Sequence, residues 1–349
     1  METSRIKYKS LFFPGLLTLL VLGLGLAFSR GVNPDLLLQR LVLPLLRLLL
    51  FIGLGLILGQ VVEATGWTRR LAVLAGPLFR FGNLGQRCSA AFTTGFVSGT
   101  AANSMLLDFY KENKISKLQL FLTNFVNQLP AYFLHLPTTF FIVVPLTGRA
   151  GLIYFGLTLA ATLLRVFAVL VFGHFSPGLQ ARTGRDRLQS RPEAKQWTWP
   201  EVLKRVKNRL PARLTSIARI VVPVYSLVYV ANALGFFQAA NAWVSDYLLH
   251  TFMPVESLSV VVLSFAAEFT SGFAAAGALL EAGALSLKQT VLALLIGNVV
   301  AFPIRALRHQ LPRYIGIFSP KMGTQLLLLG QGLRVGSLIL VGGLYYWLF

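Results

Sequence analysis

The sequence predicts an all-α polytopic membrane protein made of two inverted repeats with re-entrant or broken helices. Hydropathy, short motifs recurring in a fixed order, and the placement of charge carry that prediction. Of the 349 residues, 55% are hydrophobic and 13% are charged, whereas a soluble domain is about a quarter charged. Long apolar runs and 27 Phe remove soluble enzymes, collagens, disordered chains and disulfide scaffolds from consideration. The single cysteine, Cys88, cannot close an internal disulfide and reads as a small buried hydrophobe. His135, His174, His250 and His309 show no metal-ligand spacing. No metal and no cofactor is therefore expected.

Taken in order, the first apolar run at 11–28 follows a basic amino terminus and lacks a small-residue cleavage pattern, so it reads as an uncleaved first span. Further runs of spanning length lie at 41–62, 118–146, 152–175, 217–234, 291–318 and 325–349. The stretches 89–110 and 258–280 are apolar but rich in Gly, Ala, Ser and Thr, which suits either a tightly packed span or a pair of re-entrant half-helices. Segments 71–81 and 236–248 are too short to cross and are placed at the interface as amphipathic helices.

These pieces recur in order. Phe96-Val97-Ser98-Gly99 reappears as Phe269-Thr270-Ser271-Gly272, 173 residues later. At the same offset Asp108 meets Glu281 and Pro130 meets Pro303, while Asn124 falls one residue short of Asn298. Leu164-Arg165-Val166 recurs as Leu333-Arg334-Val335. An internal duplication accounts for all of these matches.

Charge sets the relative orientation of the copies. If 89–110 and 258–280 are re-entrant, each copy has three full spans and is inverted relative to the other. The amino terminus, Arg69, Arg70, Arg80, Arg87, Lys111, Lys114, Lys117, the loop 182–213, Arg305, Arg308, Arg313 and Lys321 then share one side. Only Arg30, Arg40, Arg149 and Lys288 remain at the other, as the positive-inside bias requires. The loop alone holds ten basic residues against Asp186, Glu193 and Glu201.

The stretch Gly95-Phe-Val-Ser98-Gly99-Thr100-Ala-Ala-Asn103, followed by Lys114-Ile-Ser116 and the Asn124–Pro130 helix, resembles the nucleoside recognition or Gate domain. Phe269–Gly277, Leu285-Ser286 and Asn298–Pro303 repeat the likeness. That domain is shared by spore-maturation membrane proteins, the gate region of ferrous-iron permeases and, more distantly, concentrative nucleoside transporters. The resemblance covers most of both halves and implies a transport-like scaffold without fixing a substrate. Asn103 faces Ala276 in the second copy, and no GTPase domain accompanies the gate. Both departures argue against active iron uptake of the permease kind.

The residues point to a site independently of that likeness. A re-entrant tip carrying Gly lets backbone amides approach a solute near the bilayer midplane, and Ser98, Gly99, Thr100, Asn103, Thr270, Ser271 and Gly272 supply such tips. Close helix packing explains the same small residues as well. Asn124, Asn127 and Gln128 precede Pro130 as Asn298 precedes Pro303, at kinks that expose backbone carbonyls. Those amides either serve a ligand or satisfy the broken backbone. Charges inside spans are costly and point to function. Arg165 and Arg334 match under the repeat and favour an anionic solute or lipid phosphate, with snorkelling as the rival. Glu268, beside the second tip, is assigned proton or ion coupling, with a structural ion pair as the rival.

The expected organisation is a first span at 1–40, a Gate-like repeat at 41–175, a basic cytoplasmic loop with an amphipathic helix at 176–216, and a second repeat at 217–349. The expected function is that of a secondary carrier or flippase for a small polar or anionic solute, nucleoside-like molecules and lipids included, in the cell inner membrane. A non-transporting scaffold that docks a partner through the basic loop is the alternative. A Ser98-based intramembrane hydrolase using a nearby His is a minor one, and no enzyme is expected. The partners are the bilayer, anionic lipid headgroups at the basic loop, and a second copy of the chain in a homo-oligomer; nucleic acid is not among them.

Overall fold

The computed structural model describes residues 9–28, 37–43, 45, 46, 49, 50, 53, 54, 57, 75–180, 199–235, 254, 256–266 and 269–349. The expected span at 41–62 therefore falls mostly outside the described residues, as do the interfacial segment 236–248 and most of the basic loop. Every regular element among the described residues is helical.

Apart from a single turn at Pro177–Gln180, these are in chain order α1 (Lys9–Phe28), α2 (Ala75–Phe81), α3 (Gly85–Gly95), α4 (Gly99–Lys111), α5 (Lys117–Val126), α6 (Gln128–Thr147), α7 (Arg149–His174) and α8 (Trp199–Ala233). They continue with α9 (Glu256–Ala266), α10 (Phe269–Glu281), α11 (Leu287–Arg305), α12 (Leu311–Ile317) and α13 (Pro320–Leu348). A π-turn, Ala306–Gln310, joins α11 to α12, and another occupies Leu38–Val42. Four helices are long and apolar enough to cross a membrane: Lys117–Thr147, Arg149–His174, Leu287–Arg305 and Pro320–Leu348. Their outer faces suit lipid, since Phe167, Phe172, Leu340 and Trp347 are all exposed. A soluble protein buries such side chains.

The same order of elements occurs twice. The short helices α3 and α4 are matched by α9 and α10, and α5 and α11, each opened by a capping serine, begin 170 residues apart. At about 1.5 Å per residue none of the four short helices crosses a hydrocarbon core of about 30 Å. The α4–α5 turn places Asn113 at φ 56, and the α10–α11 turn places Gly283 at φ 70; left-handed backbone selects Asn or Gly. Three residues later comes a capping box in each. Ser116 Oγ accepts from the Gln119 N–H at 3.1 Å while Gln119 Oε1 accepts from the Ser116 N–H at 2.8 Å, and Ser286 and Gln289 do the same.

These boundaries correct the sequence alignment. Ser98 caps α4 from outside, whereas Ser271 and Gly272 lie inside α10, one turn into it. Helix starts therefore pair at 170 residues, and the Ser-Gly likeness at 173 compares a helix cap with a helix interior. The long helices also break at different places. Pro130 lacks the N–H that would bond to the Val126 carbonyl, and the first copy breaks at Asn127, between α5 and α6. In the second copy α11 runs through Pro303 to Arg305 before the π-turn. The amphipathic stretch and the following span, expected as separate pieces meeting at 216/217, form one 35-residue helix, α8, with Pro211 and Pro223 inside it. At about 52 Å it exceeds the hydrocarbon thickness, leaving a basic end free of it.

Two cores result. One joins α6, α7, α8, α10 and α11 through residues such as Val143, Tyr154, Val221, Leu279 and Leu294. The other joins α2 to α5 with α7 and α13 through Phe79, Phe92, Leu106, Leu120, Leu170 and Leu326. Gly277 lets α10 reach α6, because a Cβ there would collide with the Leu146 carbonyl oxygen. Gly272 lies against Ser264 of α9 in the same way, and a Cβ there would strike the Ser264 hydroxyl. Gly99 has open space around it. Thermal unfolding in detergent should thus show Gly277→Ala destabilised by about 1–3 kcal/mol through overpacking, and Gly99→Ala unchanged within about 0.5 kcal/mol.

Candidate functional site

A cavity of about 730 Å³ lies where the two cores meet, with Tyr154 and Leu338 of one core and Leu326 of the other in its walls. The start of α4, the α5–α6 break, the middle of α7, the α11–α12 helix and the middle of α13 enclose it. Ser98, Gly99, Thr100, Asn103, Asn124, Asn127, Gln128, Arg165, Asn298 and Arg334 all line it. Thr270, Ser271 and Gly272 do not. Ser271 is fully buried, Thr270 nearly so, and their hydroxyls and the Gly272 backbone face protein. Gly272 packs against Ser264 of α9. Glu268 lies outside the described residues.

Local structure aims the first-copy residues inward. Ser98 takes an extended conformation and its Oγ accepts from the Ala101 N–H at 3.2 Å, so it works as the cap of α4. The N-terminal end of α4 thereby faces the cavity, with the unobstructed Gly99 and Thr100 at the rim. Across from it, Gly95 packs against the Pro130 ring, and a Cβ there would stand 3.2 Å from Pro130 Cβ. That contact holds the α5–α6 break beside the end of α3.

Two arginines and their hydrogen-bond partners form one end of the cavity. Arg165 is 6% exposed. Its Nη1 donates to Ser337 Oγ at 2.9 Å and its Nη2 to Thr162 Oγ1 at 3.2 Å, while its Nε has no hydrogen-bond partner among the described residues. Arg334 donates from Nη2 to Asn298 Oδ1 at 3.2 Å and stacks 3.3 Å from the centre of the Phe302 ring. Asn298 in turn donates to the Tyr154 hydroxyl, and Ser337 Oγ donates to the Arg334 carbonyl at 2.9 Å. Arg305, whose Nη2 donates to the Ser264 carbonyl, lines the same cavity. No Asp or Glu lines the cavity among the described residues, and none of them pairs with Arg165 or Arg334.

The amides at the other end divide into used and unused groups. Asn124 Nδ2 donates to Asn103 Oδ1 at 2.8 Å, and Asn124 Oδ1 accepts from the Tyr314 hydroxyl at 3.4 Å. This chain ties α4, α5 and α12 together. Gln128 Nε2 reaches the Gly330 carbonyl of α13 at 3.5 Å. Asn127, 9% exposed, has neither amide atom hydrogen-bonded among the described residues.

Reasoning from sequence missed Tyr132, Tyr154, Thr158, Thr162, Gln331, Arg305 and Arg313, all in the cavity wall. Tyr154, Thr158 and Thr162 fall one turn apart along α7, a stripe visible beside Arg165 once the helix is known, and Tyr132 joins them from α6. Arg305 and Arg313 were assigned to a cytoplasmic charge cluster. Arg305 reaches the cavity from the end of α11, and the π-turn that follows changes the angular register of the helix that carries Arg313, at the exposed rim.

No family model matches the chain, and no solved structure matches it. The chain is similar to three uncharacterized proteins of Methanocaldococcus jannaschii. It is 26% identical to MJ1556 over 288 residues, covering 80% of this chain and 88% of that protein. With MJ0880 it shares 24% identity over 86% of this chain and 97% of the relative. With MJ0871 it shares 23% over 78% and 84% respectively.

Proposed function

We propose that the protein is a multi-pass carrier for a small anionic solute in the cytoplasmic membrane, built as two inverted Gate-like repeats. The observation that carries this reading is the cavity end where Arg165 and Arg334 are held by Ser337, Thr162, Asn298 and the Phe302 ring, with no Asp or Glu among the described residues that line it. Buried like charges cost several kcal/mol each unless something compensates them, and a bound anion does so with charge-assisted, forked hydrogen bonds. A scaffold would have no need of an open polar space of this size, so the carrier reading is preferred to docking. The recurring element order, the short helix pairs and the separate helix breaks support repeats whose α3–α4 and α9–α10 pairs enter and leave on one side. Ser98, occupied as a helix cap, lends nothing to a hydrolase reading.

In this arrangement the cavity extends along α11–α12 from Asn298 at mid-helix to Arg313 at the cytoplasmic end, which corresponds to an inward-open state. The basic half of α8 and the loop before it rest on anionic headgroups. Glu268, directly before α10, is the coupling acid of the proposal, and Glu268→Gln should abolish any dependence of transport on a proton gradient while leaving exchange intact.

Two further measurements test the proposal. Inorganic phosphate should raise the unfolding temperature of the purified protein, with stabilisation approaching about 2.7 kcal/mol at a hundredfold excess over Kd. Arg165→Gln and Arg334→Gln should each remove that effect, and a shift retained in both variants would mean that the ion binds elsewhere. For topology, single cysteines at 190 and 349 in a Cys88→Ser background should react with impermeant maleimide from opposite faces of the membrane. Labelling from one face would exclude the inverted arrangement.

A further inference from the structure

We infer that the substrate is a hydrophilic phosphomonoester, its phosphoryl group held by Arg165 and Arg334 and its uncharged, hydroxyl-bearing body read by Asn127. This rests on the anion-carrier reading and names the class of anion. Two guanidinium groups that line one cavity and are held by neutral partners are better neutralised by a dianionic phosphoryl group than by a single carboxylate, and the fork of each matches a pair of phosphoryl oxygens. Arg165 is held in place by Ser337 and Thr162, while its Nε has no hydrogen-bond partner among the described residues.

The body is assigned from Asn127. Asn124 and Asn103 bond to each other and are spent on structure. Asn127 lines the same cavity, is nine-tenths buried, and has neither its amide donor nor its acceptor hydrogen-bonded among the described residues. A buried amide with both functions unpaired is costly, and hydroxyl groups satisfy both at once because each donates and accepts. The spacing fits a small molecule. Gln128, the neighbour of Asn127, touches α13 at Gly330, and Arg334 follows four residues on, about 6 Å along the axis. A hexose phosphate spans that interval, and a cavity of about 730 Å³ holds it. A phospholipid presents the same phosphoryl group but puts acyl chains where Asn127 needs a polar partner.

Isothermal titration of the full-length protein in lipid nanodiscs with inorganic phosphate, glucose 6-phosphate, glucose and dioctanoyl phosphatidic acid tests the inference. Glucose 6-phosphate should bind at least tenfold more tightly than inorganic phosphate. Asn127→Leu should erase that advantage while leaving phosphate affinity within twofold, and Arg165→Gln should abolish binding of both. Because Asn127 sits at a helix break, Asn127→Ala is measured in parallel and should behave as Asn127→Leu does. Equal affinities for the two ligands in the wild type, or an advantage that survives both Asn127 variants, overturn the assignment of the body but leave the anion site standing. Tighter binding of phosphatidic acid, indifferent to Asn127, overturns it in favour of a lipid source. If no phosphate compound binds, or Arg165→Gln binds as the wild type does, the anion-carrier reading itself falls.

Discussion

Guanidinium groups gathered inside an apolar protein constrain everything around them. Each loses hydration worth several kcal/mol, and proximity adds mutual repulsion that a low dielectric does not screen. Here Arg165 and Arg334 are held by neutral partners, Ser337, Thr162 and Asn298, and by the face of Phe302. Neutral hydrogen bonds fix the orientation of the two cations without cancelling their charge. The result is a polar enclosure at the junction of two hydrophobic cores, kept open because packing it with side chains would strand those charges.

The helix breaks are what bring the other groups to the same place. Asn127 interrupts one long helix ahead of Pro130, and the π-turn interrupts its counterpart after Arg305. An unbroken helix at either place would present a different face to the cavity. Tight backbone contacts at Gly277 and Gly272 draw the second short-helix pair into the core instead. One pair of short helices therefore meets the cavity through its connecting turn, while the other forms part of the wall behind it. Two elements of like length and order thus carry unlike burdens, and the site is asymmetric.

Much of this was legible in the residues, and the failures have physical causes. Hydropathy located three of the four long helices to within about five residues, whereas the run at 291–318 holds α11, the π-turn and α12 in succession. The Gly, Ala, Ser and Thr content marked 89–110 and 258–280 as unusual, and both contain a helix pair in place of one long helix. Ten candidate residues reached one cavity because Arg and Asn inside apolar spans are expensive wherever they occur. The Ser-Gly pairing misled because identical dipeptides can sit before a helix or inside one, and only the capping geometry separates Ser98 from Ser271. Arg313 was unreadable as a site residue because a π-turn leaves no signature in hydropathy. The difference between the spent amide of Asn124 and that of Asn127, unbonded among the described residues, depends on partners 21 and 190 residues away in the chain.

The most direct test of the central claim is to locate an anion inside the protein. Crystals grown or soaked with tungstate, a heavy analogue of a tetrahedral dianion, give an anomalous signal that marks where the ion rests. A peak is expected within hydrogen-bonding distance of both Arg165 and Arg334, absent in Arg165→Gln crystals. Peaks confined to the basic stretch at 182–213, with the space between Arg165 and Arg334 empty at saturating tungstate, would contradict it.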